Sequence, residues 1–419
     1  MKLFLLIFTL LSYNLSQAQI VNIPDVNFKN ALLNHDPIID TNSDGEIQVS
    51  EAENTTDLDL NSKAIYSLEG IAAFINITTL DCNINNLTTL DLSSNIALTE
   101  LDCASNSLTN LSLNTNLALE KLFCYNNNLT NLDISSNTSL DYLWCSNNNL
   151  NDLDVSSNTA LTHLFCYSNN LTSLNLSNTI LLEQINFNNN SISDIDISLN
   201  TPIENLSCAS NILTNIDISN NTNLMYFSCF YNNLTSLDLD NNPNLIHLRC
   251  ADNNLTELDI SNNTHLTKLR CENNLQLTTL NLKNGNNSNF DLSSSYPSNF
   301  ENLPELSSVC VDDVTSDLVS FINDEVGHSI TFTEDCSSLS TDENNFTDFS
   351  IFPNPTSKFI TIEAKTQITN IRIYNQLGEV MLSKSNQNII DFSNLNKGVY
   401  FMKIEDSNGV FSTQKVIKE

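Results

Sequence analysis

Hydrophobic and polar positions alternate with one fixed long period through most of this chain. Units of the form LxxLxCxxNxLTxLDLSxNxx recur, as from Leu98 to Leu119, and cysteine stands at 82, 103, 124, 145, 166, 208, 229, 250 and 271. Every interval is 21 residues or, across Phe187, twice 21, and such self-similarity marks a solenoid. Within a unit, the Leu-x-Leu and Leu-x-Cys segments send every second side chain to one side. The spacing therefore predicts short strands whose apolar ladders are buried when coils stack about 4.8 Å apart. The expected class is mainly β, with the solenoid over residues 55–311.

Turns in such a coil need polar groups that satisfy a curving backbone. Glycine is absent between Gly70 and Gly285, whereas asparagine recurs three residues after the Cys position, from Asn85, Asn106 and Asn127 to Asn253 and Asn274. A stack of amides that both donate and accept is expected to fill that role. The nine ladder cysteines point inward and read as small apolar thiols. These motifs resemble the leucine-rich repeats, specifically the 21-residue IRREKO class, with Phe187 and Thr179 as departures. The resemblance implies a leucine-rich-repeat solenoid.

The flanks differ from the repeats. Residues 19–54 predict a small helical cap, with Asp25 as a helix N-cap. The loop 40–51, DTNSDGEIQVSE, places Asp40, Asn42, Asp44, Gly45, Glu46 and Glu51 at positions 1, 3, 5, 6, 7 and 12 of an EF-hand loop. Structural Ca²⁺ held by Asp40, Asn42, Asp44, the Glu46 carbonyl and Glu51 is the expectation, although Pro37 interrupts the usual entering helix and no second hand is present. Beyond the ladder, residues 312–336 form a closing cap, and Cys310 and Cys336 are expected to make one disulfide.

Both ends give an address. Residues 1–18 combine Lys2, an apolar stretch from Leu3 to Leu11 and small residues up to Ala18, which predicts a cleaved secretory signal peptide rather than a membrane span. After a linker at 337–347, residues 348–419 predict seven short strands separated by Pro, Gly and Asn turns, an Ig-like β-sandwich. The motifs FSIFPNPTSKFITIE, IRIYNQLGEVM and IIDFSNLNKGVYFMKIEDSNGVFSTQKVIKE resemble the type A C-terminal sorting domain of the type IX secretion system. That resemblance implies handling by the type IX machinery and export, giving a secreted or outer-membrane-surface protein of a Gram-negative bacterium. No transmembrane segment is expected in the mature chain, and a monomer is expected.

Charge narrows the partners. With 16 Lys+Arg against 49 Asp+Glu the formal net charge is −33, so nucleic acid is an unfavourable ligand. The outward column of the Leu segment is monotonous, running Asp91, Ser112, Asp133, Asp154 and on to Asp259, and reads as a solvated face. The Cys segment is not monotonous. Its outward columns hold Phe123, Tyr125, Tyr142, Trp144, His163, Phe165 and Tyr167, then Tyr226, Phe230, Arg249 and Arg270. Rigid exposed rings suit stacking on sugars or anchoring of proteins, so this is the expected ligand-binding face for a protein or glycan. A polyanionic coat without a specific ligand is the alternative. Catalysis has little to stand on: the five histidines make no metal-binding pattern, no GxSxG elbow occurs, and a polymer hydrolase would need a carboxylate pair that spacing does not single out. The expectation is a binding or adhesion protein, not an enzyme.

Overall fold

Each 21-residue unit contributes one three-residue strand to a parallel sheet, and the repeat length is itself the strand register. Leu101 pairs with Leu122, Leu122 with Leu143 and Leu143 with Leu164, so identical residues lie side by side along the stack. Eleven strands, from Asp57–Asp59 to Lys268–Arg270, form this sheet in sequence order but for Glu257–Asp259, which belongs to a second sheet. The computed structural model describes residues 19–336, 349–364, 367–375, 380–385, 387–406 and 411–419. The expected signal segment 1–18 and the linker 337–347 lie outside the described residues. The chain divides into two units, 1–334 and 335–419.

The central residue of each strand of this sheet is buried, leucine in all but Ile185 and Phe227, and so is the residue after the strand, cysteine in all but Leu60 and Phe187. The nine ladder cysteines are free thiols, and burial pushes the Cys145 thiol up to about 12. They behave as apolar spacers and not as nucleophiles. Cys310 and Cys336 are disulfide-bonded.

The chain leaves each strand through a residue in the left-handed region that is not glycine. Ser105, Asn126, Asn147, Ser168 and Tyr231 all occupy this position, with φ between 51° and 54°. The next asparagine locks that turn. Asn127 donates from Nδ2 to the carbonyls of Cys103 (3.0 Å) and Cys124 (3.1 Å), and its Oδ1 accepts from Leu108 N–H at 2.9 Å. One amide therefore ties two coils together, as the asparagine period predicts. A second buried row, Asn116, Asn137 and Asn158 among them, donates to carbonyls of the preceding coil.

The Leu-x-Leu segments depart from expectation. Their burial alternates, as at Leu132, Asp133 and Ile134, yet among the described residues they pair as strands only from Glu257–Asp259 onward, apart from one bridge between Ser112 and Asp133. Asp133, Asp154 and Asp196 each accept from the backbone N–H two residues on, near 3 Å, a turn that Asp81, Asp102 and Asp259 make as well at the ends of paired strands. Those bonds, with the Ser135, Ser156 and Ser198 hydroxyls, hold the Asp133, Asp154 and Asp196 carboxyls below their usual range. The acidic column is thus a row of turn-makers.

At the N-terminal end, helix Val26–Leu33 caps the first coil. Asp25 Oδ1 accepts from Asn27 and Phe28 N–H (2.9 and 3.0 Å), while Oδ2 accepts from Tyr66 and Ser67 N–H (2.8 and 3.0 Å), joining helix to solenoid. Gly70 is required here: its φ is +106°, and a Cβ would stand 2.7 Å from the Asn22 carbonyl. At the other end helix Asp317–Val326 closes the core through Leu318 and Ile322. No helix among the described residues is long and apolar enough to cross a membrane.

The second unit consists of two antiparallel sheets of three and four strands around Ile360, Ile373, Ile390, Phe392 and Met402. All seven strands expected from the sequence are present, from Phe349–Phe352 to Phe411–Lys418.

Candidate binding face of the solenoid

Because the sheet is in register, the outward residues of successive strands fall into straight rows. One row runs Lys121, Tyr142, His163, Gln184, Asn205, Tyr226, His247 and Lys268, and its partner runs Phe123, Trp144, Phe165, Asn186, Ser207, Ser228, Arg249 and Arg270. Rings on adjacent strands touch. Tyr125 stacks on Trp144 with centroids 4.5 Å apart, Tyr142 stacks on His163 at 5.1 Å, and Phe123–Tyr142 and Trp144–Phe165 are tilted pairs at 5.1 and 5.5 Å. The Trp144 indole N–H donates to Ser146 Oγ at 2.6 Å, and His163 Nδ1 lies 2.8 Å from the Thr162 hydroxyl. Tyr167 stands two coils beyond Tyr125 in the same column. All seven of these aromatic and His side chains are partly exposed, and all but Tyr167 rest against a neighbouring ring. Burial raises the Tyr125 and Tyr142 phenols above their usual range, so both keep a neutral hydroxyl at the surface.

The other residues expected on this face are placed differently. Tyr226 is exposed and packs edge-on against His247 at 5.0 Å. Arg249 lies 4.4 Å over the Phe230 ring and donates to the Tyr296 hydroxyl at 2.8 Å, and Arg270 lies 4.1 Å over Tyr296 while bonding Glu272. Lys268 pairs with Asp291 at 2.8 Å, an interaction that, with bonds from Ser294, holds that carboxyl far below its usual range. The segment around 291–296 thus closes over the basic end, and Arg249 and Arg270 are engaged internally. The repeat pattern did not disclose this covering loop. Its signal is the loss of Leu-Asn spacing after Leu282, where Gly285 is the first glycine since Gly70 and Pro297 stands a few residues further on.

The expected calcium loop keeps the backbone features that its sequence implies. Gly45 has φ +77°, and a helix begins at Val49, two residues before Glu51. Ile47 is buried, and its carbonyl accepts from Val21 N–H at 2.8 Å, so residues 19–21 pair along the loop where a second hand would stand. Asp40 accepts from Gly45 N–H at 3.0 Å, and Asp44 from Glu46 N–H at 2.9 Å. Glu51 accepts from Thr41 N–H, the Thr41 hydroxyl and Gln48 N–H at 2.8 to 3.0 Å; burial opposes its charge, but these bonds prevail and lower its pKa. The Glu46 side chain pairs with Lys29 at 2.6 Å. Oxygen-only donors suit calcium, yet among the described residues no three His, Cys, Asp or Glu side chains are gathered to hold a metal ion.

Fold and register define a leucine-rich-repeat protein. Among solved structures it is similar to the functional domain of InlJ from Listeria monocytogenes, described as including a cysteine ladder, with 26% identity over 96% of this chain and 98% of that one and a TM-score of 0.54. It is also similar in fold to a leucine-rich-repeat protein of Leptospira interrogans, at 18% identity over 66% of this chain and 89% of that one, TM-score 0.50. Residues 350–419 match the family described as secretion system C-terminal sorting domain. No curated protein matches the chain. The protein is a secreted or cell-surface leucine-rich-repeat protein with a type IX sorting tail.

Proposed function

We propose that the solenoid is a recognition module displayed at, or released from, the surface of a Gram-negative bacterium, and that it binds a protein or glycan through the face around Trp144. Removal of residues 1–18 and handling of the tail by the secretion machinery belong to the same reading. The observation that carries it is the continuous stack Tyr125, Trp144, Phe165 and Tyr142 across three consecutive coils. Large rings fixed by a rigid sheet lose little entropy on binding, and nothing in the core requires them to be aromatic. We assign no catalytic role to any residue.

The test is binding of the purified chain to glycan and surface-protein arrays, compared with a Trp144→Ala, Phe165→Ala double variant. Two aromatic anchors are each worth about 2 kcal/mol, so binding should fall well over tenfold while the melting transition is kept. Undiminished binding by the variant would remove the face from the reading.

We also propose that residues 40–51 bind Ca²⁺ to stiffen the N-terminal cap, on the strength of the complete ligand spacing and the Gly45 turn. Millimolar Ca²⁺ should then raise the melting temperature by a few degrees, corresponding to about 1–3 kcal/mol, with reversal by EDTA and loss in Glu51→Gln. An unchanged melting temperature would leave the loop as a hydrogen-bonded turn.

A further inference from the structure

The tall side chains of the outer face are interrupted at two coils. Gln184 and Asn205 come after His163 in one row, and Asn186 and Ser207 come after Phe165 in the other, before Tyr226 restores a ring. Short polar side chains between aromatic ones leave a groove of about 330 Å³ between Phe165 and Tyr226. Three strand spacings separate these walls, roughly 14 Å.

The floor of the groove is neutral and has hydrogen-bonding capacity to spare. The side-chain amides of Gln184 and Asn205 make no hydrogen bond with the described residues, and Asn186 uses only its Oδ1, accepting from Asn188 N–H at 3.0 Å. Ser207 donates to Asn188 Oδ1 at 3.0 Å and keeps its lone pairs, while Ser228 Oγ is buried in the wall with no partner. No carboxylate lines the groove, and its ionisable residues are Tyr226, His247 and Arg249. Burial, helped by Lys268, lowers the His247 pKa, and the Arg249 guanidinium is taken up by Phe230 and Tyr296.

This chemistry narrows the ligand. An anion would find a single cation, Arg249, held at the edge of the groove by Phe230 and Tyr296, in a strongly negative chain. An added peptide strand would find the backbone N–H and C=O groups already committed to neighbouring strands, and an apolar segment would strand the amides without partners. A pyranose has a C–H-rich face that packs on the negative face of an aromatic ring, and adjacent hydroxyls that match the paired donor and acceptor of a primary amide. We propose that the groove between Phe165 and Tyr226 binds a neutral oligosaccharide, about two rings long, with its hydroxyls on Gln184, Asn186 and Asn205. This rests on the proposed function in taking the same outer face as the binding surface, and it commits that surface to one ligand class.

The probe is saturation-transfer NMR of the full chain with maltotriose, cellotriose and tri-N-acetylchitotriose. At least one should receive saturation, and its affinity should fall tenfold or more in Asn205→Ala and in Ser207→Trp, which fills the groove, while Leu117→Ala, on an exposed turn away from the outer face, stays within twofold. Melting curves of the variants verify that each folds, and Asn205→Ala serves alone if Ser207→Trp does not. Absence of binding by all three sugars, or binding indifferent to both groove variants, overturns the proposal. If an array ligand is lost in the Trp144→Ala, Phe165→Ala variant but not in Ser207→Trp, the groove assignment falls and the aromatic-face reading stands. If a protein ligand is lost in Ser207→Trp while no sugar binds, the saccharide is overturned and the groove kept.

Discussion

Around Trp144 the outward side chains of the sheet lean on one another and stay partly exposed, whereas around Arg270 the same two rows are closed over by the chain itself. The strands beneath are alike. Leu143 and Leu269 are both fully buried, Cys145 and Cys271 both fill the core, and Asn148 and Asn274 both donate to the carbonyls of the two nearest ladder cysteines. The difference lies only in the segment beyond the last regular coil. After Leu282 the chain leaves its period, and Asp291 and Tyr296 return to the face to pair with Lys268, Arg249 and Arg270. A repeat scaffold therefore sets where an outward side chain stands, and a break in the repeat decides whether it remains available.

The largest effect tests what the two regions share. Asn148 donates to Cys124, Cys145 and Ser146 carbonyls and accepts from Leu129 N–H, and Asn253 makes the same four bonds one hundred and five residues later. Alanine at either position leaves several buried backbone groups without partners, at about 3 kcal/mol of stability. Urea denaturation of Asn148→Ala and Asn253→Ala should give losses equal within about 0.5 kcal/mol, since the sites are too far apart to share partners. Unequal losses would mean that the scaffold is not indifferent to the face it carries.

That shared scaffold was legible because a period is a statement about geometry: Cys every 21 residues fixes register, inward rows and outward rows together. The Asn row and the N-cap at Asp25 were legible for the same reason, as each is a local hydrogen-bonding requirement met by residues close in the repeat. The Leu-x-Leu segments were misjudged as strands because burial alternates there just as it does in the Cys segments, and the Asp-to-N–H bond two residues on occurs in both. The covering of Arg249 and Arg270 was not legible at all. It depends on Tyr296, forty-seven residues from Arg249 and outside the period. The groove was also missed, because attention to where rings occur passes over the two coils where they are absent.

A middle-sized effect should uncover the basic end. Tyr296→Ala removes one hydrogen bond and two cation–ring contacts, all near the surface, for a loss of about 1–2 kcal/mol. Limited proteolysis should then cut within residues 285–298 faster than in the unmodified chain, while array binding at the Trp144 end stays unchanged. Altered binding at that distance would show that the two regions are coupled, contrary to the nearest-neighbour behaviour expected of a solenoid.

The smallest effect exchanges a residue between comparable turns. In two of the three aromatic coils the left-handed position is asparagine, at Asn126 and Asn147 with φ of 54° and 51°, a conformation this side chain tolerates. Beside Phe230 the same position is Tyr231, with φ 52°, more than half exposed and touching the Phe230 ring edge-on at 5.4 Å. Backbone strain at a non-glycine, non-asparagine residue in this region costs about 1 kcal/mol, and a partly exposed ring pair returns roughly half of it. Tyr231→Asn should therefore stabilise the chain by about 0.5 kcal/mol, and Asn147→Tyr should destabilise it by about 1 kcal/mol, because Asn147 has no facing ring to compensate. Chemical denaturation of both variants, read against the parent, settles the sign of each. A destabilised Tyr231→Asn would mean that the Phe230 contact outweighs the strain, and that the tyrosine is kept there to brace the ring on which Arg249 rests.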